Sequence, residues 1–329
     1  MARILAVVGI LAAFLFAACS GDDAPDPTDA PADECLATGR ASVGAKPWAV
    51  ASDAATNRLY SADEFDNTVT IIDLCTHEQV AKVNSGTGPN SISVNHKTGV
   101  AFISNFNSND VTVIESDAVT ATIPVGQNPW SVLADEDANV AYVANSQSGS
   151  ISVVEPGSPQ PLDTIEDLAE PRGLARIGRT LYVAEAAANR VRAIDLDSGV
   201  PAGEVAVGQR PQGLAVDESA GELWVTNVDD GTVSVVDLEA MTVVATIAVG
   251  LSPLQVAVDP QRNRAYTADS FADAISVIDT QTHQLLNSYR SVQRPWDVEV
   301  SESGLLVYVA NSATSEVLIL GPDELEPAD

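Results

Sequence analysis

Three tryptophans, Trp48, Trp130 and Trp296, each directly follow a proline, at positions 47, 129 and 295. Four of the chain's 16 basic residues, Lys46, Arg172, Arg210 and Arg294, flank prolines of the same series. Asn90 and Gln212 occupy the post-proline position elsewhere in that series. An indole face attracts a cation, and a guanidinium forks onto an anion. Such a set suits an anionic or sugar-like ligand. Groups that commonly carry out catalysis are sparse by comparison. The histidines are His77, His96 and His283, and the cysteines are Cys19, Cys35 and Cys75. Their spacing fits neither zinc nor haem ligation. Nucleotide-binding glycine motifs and the GxSxG elbow are absent from the sequence. Catalytic residues therefore stay unassigned, and no cofactor is expected.

The elements that must position these residues are set by an internal repeat. Prolines recur at 47, 89, 129, 171, 211, 253 and 295, spaced 40 or 42 residues apart. After each proline comes a second run, such as YSAD (60–63), YVAN (142–145) or WVTN (224–227). A third follows, such as TVTIID, SISVVE or TVSVVD, and a closing run such as VVATIAVG (243–250). These short segments are rich in Val, Ile, Thr and Tyr and are separated by Asn, Asp, Gly or Pro, which is strand chemistry with turn punctuation. Four short strands per repeat, seven times, predict an all-β, seven-bladed β-propeller with four-stranded blades. The last repeat, from Pro295 to Gly321, supplies three runs only. The stretch LATGRASVGAKP (36–47) matches the closing-run pattern, so an N-terminal strand is expected to complete the last blade and remove an open edge. The Tyr-Val-Thr-Asn-like signature resembles the YVTN family of bacterial β-propeller repeat proteins across residues 35–321. That resemblance speaks for fold rather than activity.

Chain direction in such blades places Cys35, which opens the closing strand, and Cys75, which follows the third strand of the first blade, on the same lower face. A Cys35–Cys75 disulfide locking the ring is expected. The post-proline residues and the loops between second and third strands meet at the opposite, upper mouth. There the ligand-binding ring comprises Lys46, Trp48, Asn90, Trp130, Arg172, Arg210, Gln212, Arg294 and Trp296, with Phe65, Phe106 and Phe271 beside it. A competing reading packs each tryptophan between blades, because the post-proline position shares strand parity with aliphatics such as Val50, Val132 and Val298. Asp63, Glu185 and Asp269 are weak metal candidates at the same mouth. Acidic loops such as DEFDN (63–67) and DSFAD (269–273) could hold Ca2+, although none has EF-hand spacing.

The termini give an address. One charge, Arg3, precedes an apolar run over 4–18 that is too short to span a bilayer but fits a signal peptide. It ends FAAC, which resembles a bacterial lipobox, so Cys19 is the expected lipidation site and membrane anchor. Ser20 carries no inner-membrane retention cue, so in a two-membrane cell the outer membrane is expected. The expected organisation is a signal peptide (1–18), a lipidated cysteine with an acidic, Pro-rich tether (19–34), the propeller (35–321) and an acidic tail (322–329). Formal net charge is −30, which argues against nucleic acid as a partner, since phosphate binding needs a basic surface. The lead expectation is a monomeric, exported module of the cell envelope that binds a small anionic or sugar ligand or an envelope protein. The alternatives are a propeller enzyme of lactonase or lyase type with a metal at the upper mouth, and a purely structural envelope protein.

Overall fold

The computed structural model describes residues 37–327. The expected signal peptide and tether, with Cys19 and Cys35, lie outside these residues. Among the described residues 28 strands, numbered β1–β28 in chain order, form seven antiparallel four-stranded sheets. The first blade is typical: β2 (Pro47–Asp53) is innermost, followed outward by β3 (Arg58–Asp63), β4 (Thr68–Asp73) and β5 (Gln79–Asn84). The two middle strands are almost wholly buried, whereas β5 alternates between exposed and half-buried residues. That gradient is what radially stacked sheets demand. No helix among the described residues is long and apolar enough to cross a membrane.

Ring closure follows the sequence expectation. In the last blade β26 (Pro295–Val300), β27 (Val307–Asn311) and β28 (Glu316–Leu320) are joined by the N-terminal β1 (Gly39–Ser42), antiparallel to β28. Ala41 from β1 packs in one apolar cluster with Leu306, Tyr308, Val317 and Ile319, and with Val50 and Leu59 of the first blade. Each such cluster is shared by two neighbouring blades, so no blade buries its faces alone. Trp224, the tryptophan outside the proline series, is fully buried in one of them.

The acidic tail is partly folded. Pro322–Leu325 forms one helical turn, with Pro322 at its start and Glu324 Oε1 accepting from Gly321 N at 2.9 Å. Leu325 is fully buried, and Asn287 Nδ2 donates to its carbonyl at 2.7 Å.

Candidate functional site

Every innermost strand begins with its repeat proline. That edge pairs with no other strand, so the missing N–H removes no ladder bond. Each strand then shows a register irregularity directly after the proline. The bulge removes Trp48, Asn90, Trp130, Leu254 and Trp296 from the ladder. In two blades it also removes a glycine: Arg172 with Gly173, and Gln212 with Gly213. A bulge re-aims a side chain, and here it does so around the whole ring. The simple strand parity that packed the tryptophans between blades therefore does not govern them.

The residue before each proline is left-handed in all seven blades. Lys46, Gly88, Asn128, Glu170, Arg210, Ser252 and Arg294 have φ between +49° and +70°. Loop amides and side chains hold these turns. Asn67, Asn109, Asn189 and Asp273 accept from the backbone N of Gly88, Asn128, Arg210 and Arg294 at 2.8–2.9 Å. The Asn and Asp of the acidic loops thus act as turn acceptors between neighbouring blades.

The result is an aromatic and cationic crown. Trp48 and Trp296 stack at 4.1 Å with their planes 13° apart, and Trp130 lies 6.4 Å from Trp48. Phe106 meets Trp130 edge-on at 5.6 Å. The Arg172 guanidinium sits 4.3 Å from the Trp130 ring centre. Lys46 Nζ lies 4.3 Å from the centre of Phe65, 5.1 Å from Trp48 and 5.8 Å from Trp296. Arg294 approaches Phe271 at 5.6 Å. Trp130, Arg172, Arg210, Gln212, Phe271 and Trp296 line a cavity of about 290 Å³ together with Ser252, Leu254 and Ser270. Phe65 and Phe271 are 67% and 66% exposed, so aromatic surface remains open at the rim. Asn90 and Gln212 are the buried members of the predicted ring; Asn90 donates to the Trp130 carbonyl at 2.8 Å and accepts from Ser104 Oγ at 2.9 Å.

The metal candidates have a structural role. Asp63, Glu185 and Asp269 close the second strand of their blades, where Asn105, Asn145 and Asn227 stand in others. Asp63 Oδ2 accepts from Thr70 Oγ1 at 2.6 Å and Thr68 Oγ1 at 3.1 Å. Asn145 and Asn227 bond to the hydroxyls of the two matching third-strand residues in the same way. Asp269 accepts from Thr267, Ser276 and Gly250 N, and burial pushes it up to about 6. Glu185 is held by Arg190, Arg192 and the backbone N of Ala169. Among the described residues no group of three or more His, Cys, Asp or Glu converges to hold a metal.

Two acids the sequence reading passed over lie deeper. Below the tryptophans a second cavity of about 350 Å³ runs between the innermost strands, with Asp297 and Glu299 of β26 in its wall. Asp297 Oδ2 accepts from Val50 N at 3.0 Å, and Glu299 Oε1 accepts from Ser52 N at 3.0 Å. Both amides belong to the free edge of β2. Serine does the same work elsewhere, since Ser91 and Ser93 accept from Val132 N and Ala134 N. Burial pushes both carboxyls up to about 7, and the Asp297 charge raises Glu299 further. His96, at the lower end, bonds to Glu136 at 2.8 Å and the Ser52 carbonyl at 3.1 Å. Burial alone would lower its pKa, but Glu302, Glu136 and the Ser52 carbonyl more than offset that and leave it raised. His283 faces Glu222 at 3.1 Å and Trp224 at 5.7 Å. His77 lies against Gly39 of the closing strand and bonds to the backbone of Ala37.

No family model and no curated protein matches the chain. Solved structures resemble it in shape. One is Kuenenia stuttgartiensis hydrazine synthase, with a TM-score of 0.75 and 18% identity over 84% of this chain and 95% of that one. Another is dihydro-heme d1 dehydrogenase NirN in complex with DHE, with a TM-score of 0.64 and 16% identity over 87% of this chain and 68% of that one. The likeness is one of fold. This chain is a seven-bladed β-propeller.

Proposed function

We propose that this propeller is a binding module whose upper mouth receives a ligand or a partner of the cell envelope. The observation that carries this is the crown itself. Bulges and left-handed turns in separate blades bring three tryptophans, three phenylalanines and four cations to one rim above a cavity of about 290 Å³. Such a concentration of aromatic and basic side chains stands out on a chain of net charge −30. We read the repeats as YVTN-type, and the chain as exported and anchored through acylated Cys19. A Cys35–Cys75 bridge fits the same address, because oxidation is permitted outside the cytoplasm. The contact of His77 with Ala37 and Gly39 supports it, since each lies a few residues from one cysteine. The enzymatic reading draws support from the two structural neighbours, whose names are those of enzymes. Its metal candidates here are already engaged by strand-end hydroxyls and arginines.

Intrinsic tryptophan emission tests the binding reading. Titration with envelope sugars, acidic metabolites and peptides is expected to give a saturable shift with at least one of them. Trp130→Ala should lose that shift while retaining the β-sheet circular dichroism of the parent. A shift of full size in the variant contradicts the assignment of the mouth.

A further inference from the structure

The crown divides into two unlike sectors. Lys46 pairs with Glu64 at 2.6 Å, and Arg172 pairs with Glu170 while donating to Gln212 Oε1 at 3.0 Å. Those two cations are occupied. Arg210 and Arg294 are less engaged. Among the described residues the Arg210 guanidinium pairs with Asp229 alone, through Nε at 3.3 Å, which leaves its terminal nitrogens without an ion pair, and its side chain is 45% exposed. Among the described residues the Arg294 side chain has no ion pair or hydrogen bond and only its approach to Phe271. Between these arginines stands Phe271, its ring open to solvent, with Leu251 beside it at 67% exposure.

The wall behind this sector holds two unmet polar atoms, a hydroxyl and an indole N–H. Ser270 is fully buried, lines the cavity, and its Oγ has no partner. Trp296 lines the same cavity, and its buried Nε1 also has no partner. Gln212 also lines it, and its Oε1 already accepts from Arg172. Among the described residues no Asp or Glu lines it, in a chain holding 46 acidic residues. A neutral sugar presents many hydroxyl donors and would find no carboxylate here to accept them, with the hydroxyls of Ser252 and Ser270 as the side-chain acceptors left. A carboxylate brings acceptors only. The aromatic walls suit a flat body, because stacked rings gain from face contact.

Resting on the binding reading above, we infer that the ligand of the upper mouth is a flat anion, an aromatic or conjugated carboxylate. Its ring lies against Phe271 and Trp296, and its carboxylate faces Arg210, with Arg294 at the rim. A volume of about 290 Å³ is at the small end of ligand pockets and fits one or two fused rings rather than a chain of sugars.

The test uses the full chain in detergent and three probes: 1-naphthoate, its neutral isostere 1-naphthamide, and glucose. Calorimetric titration is expected to give 1-naphthoate at least about tenfold tighter than the amide, the size of one charge-assisted hydrogen bond. Arg210→Gln should bring naphthoate to the amide's affinity, and raised salt should weaken it. Phe271→Ser, a change at an exposed side chain, should weaken naphthoate and amide alike. Equal binding of acid and amide, or tighter binding of glucose, overturns the anion assignment and leaves the mouth a binding site. Naphthoate binding unchanged in both Arg210→Gln and Phe271→Ser overturns both, as does no binding by any probe.

Discussion

Asp297 and Glu299 are the residues whose chemistry departs most from their local pattern. In WDVEV they read as the polar half of an alternating strand, and that is why they were passed over. A signal was present, since none of the matching positions in the other six blades is charged and all but Leu133 and Gln255 are Ala, Ser or Gly. Two acids at alternate positions where the other blades are uncharged mark a place where the chain edge is given acceptors. Asp63, Glu185 and Asp269 suggest metal by their acidity, whereas Asn fills the same repeat position elsewhere and all three are held by hydroxyls or arginines. A consequence of pH follows from Asp297 and Glu299. Their folded-state pKa values near 7 exceed the ordinary carboxylate range, so folding favours the protonated forms. Their contribution is fully present below about pH 4 and is lost as pH rises through about 7. His96, also raised, has the same sign. The melting temperature is expected to fall from pH 5 to pH 8, by an amount corresponding to roughly 2–4 kcal/mol. Asp297→Asn with Glu299→Gln should flatten that slope while keeping an acceptor for Val50 and Ser52. A slope unchanged in the double variant would show that other groups carry it.

At the scale of the element, the proline-led inner strand is the functional unit. Its period, its four-strand grouping and the N-terminal closing strand were all legible, because Pro, Gly, Asn and Asp mark turns by their backbone chemistry. The bulge after the proline was not. Local sequence alternation predicts a regular strand, and only the registry with the second strand shows that one residue has left the ladder. The left-handed residue before each proline was visible only as Gly88, where glycine fits the conformation without cost. Ser252 takes the same conformation with φ 56°. Ser252→Gly is therefore expected to stabilise the fold by about 1 kcal/mol, read as a raised denaturation midpoint. Gly88→Ala should do the reverse, since a Cβ is strained at its φ of 70° and Asn107 would have to move aside. If both changes leave the midpoint in place, the turns carry no strain.

For the molecule as a whole, stability depends on one seam. Six blades close within continuous chain, and the seventh depends on four residues of β1 pairing with β28. The proposed Cys35–Cys75 bridge would tie that seam to the first blade. Its loop of 40 residues gives about 4 kcal/mol in the chain-entropy treatment. Reduction, or Cys75→Ser, should lower the unfolding midpoint, and thiol titration of the oxidised, unfolded chain should find neither cysteine reactive. Reactive thiols at both positions would remove the bridge from the account. The binding claim is tested most directly by a crystal soaked with 1-naphthoate. The account predicts density for the ring among Trp130, Phe271 and Trp296, with its carboxylate toward Arg210. Density only in the lower cavity beside Asp297 and Glu299, or only on the outer strands, would contradict it.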